Sequence, residues 1–199
     1  MQEEATTYYI KRLEGFADPG LPARGVIMSF GVTTGKLSQF RVERGTERDL
    51  ALILRLIKGL AEYEKLAHEV TATEAGLRES LFGERPSAEV LIGYAGPEPA
   101  GFAVFFQNFS TFLGQPGLYL EDLFVVPEWR AHGLGRQLLA HVARIAVERG
   151  CGRLEWSVLD WNEPAIRFYQ GIGARAMDEW TVYRLTGDAL RRLASGSDS

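Results

Sequence analysis

From Gln39 onward the apolar positions follow two periods in turn. QFRVERG alternates and predicts a short strand, whereas TERDLALILRLIKGLAEYEK places Leu50, Ile53, Leu54, Ile57 and Ala61 on one helix face. Thr46 and Asp49 have capping-box spacing at its start. TEAGLRESLF predicts a second helix, ended by Gly83. AEVLIGYAG and PAGFAVFFQNF read as two strands split by Gly96, Pro97 and Pro99, so a hairpin joins them, and LYLEDLFVV reads as a further strand. LGRQLLAHVARIAVERG returns to the helical period, with Leu134, Leu138, Val142 and Ile145 on one face and Gly150 beyond its end. RLEWSVLD predicts a strand, EPAIRFYQ a short helix after Asn162, and EWTVYRL a last strand. The order β, α, α, β, β, β, α, β, α, β predicts a mixed α/β fold with one central sheet flanked by helices.

Residues 1–38 carry no such period. ADPGLPARG and GVTTGK are turn chemistry, which predicts an N-terminal extension, loosely packed, ahead of a domain spanning 39–199. The chain has 199 residues and is 46% hydrophobic, enough for one domain with a real core. Its formal net charge is −4, and no basic stripe interrupts it, so a nucleic-acid partner is not expected. Cys151 is the sole cysteine, and His68, His132 and His141 are scattered, which leaves neither a disulfide nor a metal-ligand spacing. No apolar run approaches the roughly 18 residues of a membrane span, and MQEEATTYYIKR is polar where a signal peptide would be basic and then apolar. These features suggest a cytoplasmic protein.

The chemistry concentrates at RAHGLG, Arg130–Gly135, between the strand LYLEDLFVV and the helix that follows. A helix start leaves backbone N–H groups without intrahelical partners and presents positive partial charge. Glycines let a ligand come close and permit positive φ. With Arg130 and Arg136 at its ends, the turn has the makings of an anion cradle; a plain turn before a helix is the alternative. A GxxxxGK[ST] loop is absent, and GLGRQL lacks the third glycine of a dinucleotide fingerprint.

LRLIKGLAEYEK, YLEDLFV, RAHGLG and WNEPAIRFY, taken in order, resemble the GNAT superfamily of acyl-CoA-dependent N-acetyltransferases. Within it the chain is most similar to the diamine (spermidine/spermine) and thialysine acetyltransferases, over roughly 40–185. The resemblance implies acetyl-CoA as acyl donor, no metal, and a primary amine of a small molecule as acceptor, attacked directly in a ternary complex. It implies that backbone N–H groups of Arg130, Ala131, His132, Gly133, Leu134, Gly135 and Arg136 hold the pyrophosphate of coenzyme A. The strand before the turn would splay from its neighbour, freeing backbone groups of Leu123, Phe124 and Val125 for the pantetheine arm. Asn162 and Ala165 would line the other side. Tyr169 stands at the position of the catalytic tyrosine, and Glu121, Tyr63 and Glu64 at positions that meet the amine.

These residue types suit the reaction. An amine with a pKa of about 10.4 costs roughly 4.6 kcal/mol to neutralise at pH 7, so some group must take its proton. Glu121 is the candidate base, through a relay to solvent, while Glu64 serves binding more than proton removal. Tyr169 can supply a proton to the leaving thiolate, and a backbone N–H of Phe124 or Val125 can stabilise the carbonyl oxygen. Ordinary structural roles are open for several of them. Glu121 and Asp122 adjoin in a strand and would face opposite sides; Tyr63 and Glu64 could be a solvated helix end, and Tyr169 a core aromatic. Trp156 and Trp161 are expected to pack, as are Phe105, Phe106, Phe109 and Phe112, as core and wall, and the His132 ring is expected to be exposed.

MDEWTVYRLTG lacks the consecutive glutamates of the polyamine enzymes, with Thr181 where the second would stand. That points away from spermidine and spermine, toward a smaller amine or a thialysine-like amino acid. The resemblance also implies a homodimer that exchanges a C-terminal strand. Acetylation of a protein amine, and a coenzyme-A-binding module without chemistry, remain as alternatives.

Overall fold

The computed structural model of the protein describes residues 40–196; the extension assigned to 1–38 lies outside them. Five strands form one sheet in chain order: β1 (Phe40–Arg44), β2 (Glu89–Ala95), β3 (Glu98–Ser110), β4 (Gln115–Val125) and β5 (Leu154–Trp156). The first four pair antiparallel and β5 joins β4 in parallel. Five helices accompany them: α1 (Leu50–Tyr63), α2 (Glu74–Phe82), α3 (Leu134–Glu148), α4 (Glu163–Gly171) and α5 (Gly187–Ser195).

Capping chemistry starts the helices where the sequence signals it. The Asp49 carboxylate accepts from the Thr46 N–H at 2.8 Å and its hydroxyl at 2.7 Å, opening a 3-10 turn that runs into α1. The Thr73 hydroxyl accepts from Gly76 N–H at 3.1 Å at the head of α2.

The sheet has two apolar faces. On one, Phe40, Leu91, Ala103, Phe105, Leu118 and Leu120 pack against Leu134, Leu138, Leu139, Val142 and Ala146 of α3. On the other, Val90, Ile92, Phe102, Val104 and Phe124 pack against Ile53 and Leu56 of α1 and Leu81 of α2. Leu134 and Leu138 are each 0% exposed, and burying such a side chain stabilises by about 2 kcal/mol. The α1 stripe is rotated from the predicted one: Leu56 is buried, and Leu54 is only half-buried.

Several predicted elements differ. RLEWSVLD contributes only Leu154–Trp156, because Ser157–Asp160 leave the sheet. EWTVYRL forms no strand among the described residues, and Val182 is 79% exposed and Tyr183 91%; a strand needs a ladder neighbour, and the five-stranded sheet does not include this segment. The helix after it, α5, was not anticipated, although Thr186 precedes it and Leu190 and Leu193 have helical spacing. Phe105 is core, but Phe109 and Phe112, near the β3–β4 turn, are exposed rather than walls.

The β3–β4 pair carries the feature that shapes the site. Val104 pairs with Asp122 and Phe105 with Leu120, so Glu121 is an extra residue, a β-bulge. Leu118 and Leu120 face α3 before it; after it Leu123 and Val125 do, while Phe124 faces α1. Further along the same pair, a Cβ on Gly101 would meet the Phe124 carbonyl oxygen at 2.4 Å. Gly101→Ala should therefore destabilise by about 2 kcal/mol, read as a lowered denaturant midpoint; an unchanged midpoint would show that the strands part freely there.

Candidate active site

β4 and β5 part company early. Their last pair is Leu120 with Trp156, yet β4 runs on to Val125. Two observations show which backbone groups line the resulting gap. The Phe124 oxygen lies against Gly101 of β3, and Val126 N–H donates to the Ala100 carbonyl at 2.9 Å. Phe124 and Val126 therefore turn their backbone groups toward β3. By strand alternation, Leu123 and Val125 turn theirs toward the gap. Of the three residues expected to free their backbones here, Phe124 does not.

The turn after β4 sits at the mouth of this gap. Pro127–Trp129 form a 3-10 turn, Ala131 has φ 60° and Gly133 φ 96°, and α3 starts at Leu134. The positive φ suits glycine at 133, where a Cβ would also project into open space. The first bond into the helix is Gln137 N–H to the Gly133 carbonyl, so the amides of Leu134, Gly135 and Arg136 precede the ladder. His132 is exposed, as expected, with its Nδ1 2.6 Å from the Arg130 carbonyl oxygen. Arg130 lies inward: its Nε donates to the Val125 carbonyl at 2.9 Å, and its guanidinium lies 4.2 Å from the Tyr63 ring centre.

On the α1 face the bulge gathers carboxylates. Tyr119 packs on Phe106, which shares its face with Phe102 and Val104. Alternation from Tyr119 puts Glu121 on that face, and alternation back from Phe124 puts Asp122 there too. The expectation that Glu121 and Asp122 face opposite sides fails, because a bulge breaks the period of two. Burial, then the charges of Glu121 and Glu64, push the Asp122 carboxyl up to about 6. Burial also raises Glu64, at the end of α1.

Tyr169 completes the cluster from α4. Its ring packs 4.9 Å from that of Trp156 and 5.2 Å from that of Phe168. Burial, and then the Glu64 charge, push its hydroxyl up to about 12. Trp156 packs as expected, but Trp161 is 49% exposed, with its ring 5.8 Å from that of Tyr63. At the head of α4 the Asn162 Oδ1 accepts from Ala165 N–H at 3.4 Å and from the Tyr63 hydroxyl at 3.1 Å. Asp122 was missed as a site residue, since nothing in LYLEDLFVV marks the bulge. Three carboxylates share this corner, yet no group of described residues is placed to hold a metal ion. No helix among the described residues is long and apolar enough to cross a membrane.

A glycine turn beside a parted pair of parallel strands sets this sheet apart from an ordinary mixed layer, and it defines a class. The profile of the acetyltransferase (GNAT) family matches residues 57–174, and the chain belongs to that family and is an N-acetyltransferase. Acetyltransferases of this family take their acyl group from acetyl-CoA. The chain is 35% identical over 169 residues to the thialysine N-epsilon-acetyltransferase of Mus musculus, covering 79% of this chain and 99% of the mouse protein. It is 34% identical over 205 residues to the L-ornithine N5-acetyltransferase of Arabidopsis thaliana, covering 80% of this chain and 90% of that one. Among solved structures, an integron cassette protein from the mobile metagenome of V. cholerae superposes with a TM-score of 0.67 at 29% identity, covering 80% of this chain and 99% of that one.

Asp122 generates a test. Its folded pKa of about 6 lies above the unfolded value of about 3.9, so the native state binds more protons between them. Stability is therefore lost as pH rises through that window, by up to about 3 kcal/mol. Asp122→Asn should match the wild type in thermal midpoint near pH 4 and exceed it at pH 7.5. A difference independent of pH would mean that Asp122 is not held up by its surroundings.

Proposed function

We propose that the protein acetylates a primary amine of a small molecule, with acetyl-CoA as donor, and that a side-chain amine of an amino acid is its preferred acceptor. The convergence of Glu64, Glu121, Asp122 and Tyr169 beside the open edge of β4 carries this reading. Two relatives support the acceptor class: their names specify thialysine and L-ornithine, both amino acids bearing a side-chain amine. Thr181 and Trp180, in place of an acidic pair, favour an acceptor with less positive charge than a polyamine.

The residues present fit the donor. The amides of Leu134, Gly135 and Arg136, open space over Gly133, and the start of α3 suit a diphosphate. Arg130, Ala131 and His132 shape that turn, and Asn162 and Ala165, at the head of α4, are the residues proposed for the other side of the donor. The gap-facing backbone of Leu123 and Val125 suits an extended amide-bearing arm. When bound, acetyl-CoA supplies a thioester carbonyl for the amine to attack. The Val125 N–H is the donor available to a carbonyl oxygen there, in place of Phe124, whose backbone faces β3.

The carboxylates divide the work on the amine. Glu64, Glu121 and Asp122 attract an ammonium, and the same attraction resists its deprotonation. Glu121 is exposed and Asp122 is not, so Glu121 accepts the ammonium proton and passes it to solvent, with the more buried Asp122 beside it. Tyr169 keeps its proton across the neutral range and can donate it from its Oη.

The C-terminal segment supports a homodimer. Residues 180–186 form no element, Trp180, Val182 and Tyr183 are exposed, and α5 exposes Leu190 and Leu193. Two copies that each supplied a strand from this segment would cover that apolar surface.

Acetyl transfer should be measured on thialysine, L-ornithine, putrescine and spermidine. The amino acids are expected to show the highest kcat/KM, and Tyr169→Phe to lower kcat about 100-fold with little change in coenzyme A affinity. Turnover of spermidine above both amino acids would overturn the acceptor class; an unchanged kcat would remove Tyr169 from proton transfer. Light scattering should give twice the 22.1 kDa chain mass, falling to one chain in Val182→Asp; one chain per particle in the wild type would rule out the dimer.

A further inference from the structure

The gap between β4 and β5 is spanned at its mouth by an unbroken series of contacts. Arg130, in the turn after β4, is anchored by its Nε on the Val125 carbonyl, with its guanidinium carbon over the Tyr63 ring. Tyr63 is the last residue of α1. Its hydroxyl donates to Asn162 Oδ1, the same oxygen that accepts from Ala165 N–H at the head of α4. Ala165 lies one helical turn before Tyr169, on the same side of α4.

The helix at the end of this series reaches the core only through the partly buried Phe168 and Tyr169. α4 has nine residues, and none is fully buried. A helix that short draws part of its definition from its cap. The Asn162 side chain can swing unless something fixes its amide. The Tyr63 hydroxyl, 99 residues away in sequence, does so. In this arrangement the Tyr63 hydroxyl is directed at the cap, and the Arg130 Nε at the Val125 carbonyl.

We infer that Tyr63 and Arg130 form a brace across the acyl-donor gap, in which the Tyr63 hydroxyl holds the Asn162 cap and through it the direction of Tyr169. Tyr63 is a positioning residue rather than a substrate contact. The inference rests on the reading of Tyr169 as proton donor, and the two can be told apart.

The test is a double-mutant cycle in steady-state acetyl transfer. Tyr63→Phe keeps the ring under Arg130 and removes only the hydroxyl. It should lower kcat about tenfold while leaving KM for acetyl-CoA within about twofold. In a Tyr169→Phe background the same substitution should cost nothing further, since no hydroxyl remains to be aimed. A tenfold loss in both backgrounds, or no loss in the first, overturns the brace. If Tyr169→Phe itself leaves kcat unchanged, the proton-donor reading falls and the brace falls with it. Arg130→Lys keeps the charge but loses the guanidinium over the ring and its Nε bond to Val125, and it should show the same non-additivity with Tyr169→Phe, so an unstable Tyr63→Phe would not block the test. A loss in Arg130→Lys that simply multiplies with that of Tyr169→Phe also counts against the brace.

Discussion

One extra residue in β4 determines what this sheet can do. Before Glu121 the strand turns Leu118 and Leu120 toward α3; after it Leu123 and Val125 take that side. Without the insertion, Asp122 would point into the α3 core and Glu121 alone would face α1. With it, both carboxylates reach the α1 face, where Glu64 already stands. The same half-step leaves Leu123 and Val125 presenting their backbone to the side that β5 has left. The carboxylate cluster and the choice of residues that face the open edge thus come from a single irregularity, while the edge itself is open because β5 ends at Trp156. The pairing around it withstands the disturbance because β3 and β4 are the longest strands and Phe105, Leu118 and Leu120 are almost wholly buried beside it.

Crowding three carboxylates costs the empty fold something. Asp122 shows that cost most directly, with burial and two like charges all disfavouring its ionised form. In the proposed reaction a cationic acceptor would relieve it, converting a folding penalty into selectivity for positive charge. The Glu64 charge also bears on Tyr169, where it strengthens the hold of the phenol on its proton. In the proposed reaction one negative field would do two things: gather the amine, and keep the Tyr169 phenol protonated. The difficulty it would create, an ammonium reluctant to lose its proton, would fall to Glu121, the member of the set open to water.

Much of this was legible in the sequence because it is local. Period 3.6 marks α1 and α3, Thr46 and Asp49 mark the start of α1, and Gly133 marks a turn that needs positive φ. What escaped depends on pairing. LYLEDLFVV reads as unbroken alternation, and only its register against β3 reveals that Glu121 is surplus. EWTVYRL has strand composition, but composition supplies no ladder partner, and the segment stays out of the sheet. Phe109 and Phe112 look like core, yet the β3–β4 hairpin carries them beyond the layer that α1 and α3 cover. The bond from Tyr63 to Asn162 joins residues too distant in sequence for any local pattern to signal.

The brace gives these separate pieces a common frame. The donor turn rests on the end of β4, the carboxylates on its bulge, and Tyr169 on a short helix with no fully buried residue. Such a helix would, by itself, sample several directions, and each misdirected state would subtract from the productive fraction. Linking its cap to α1, which is anchored by Ile53 and Leu56 in the core, gives Tyr169 a reference in a well-buried element. Arg130 then ties that same point of α1 to the carbonyl of Val125, the residue whose amide faces the donor. Tyr169 and the gap-facing edge of β4 are in this way positioned against one another through a phenol and a guanidinium.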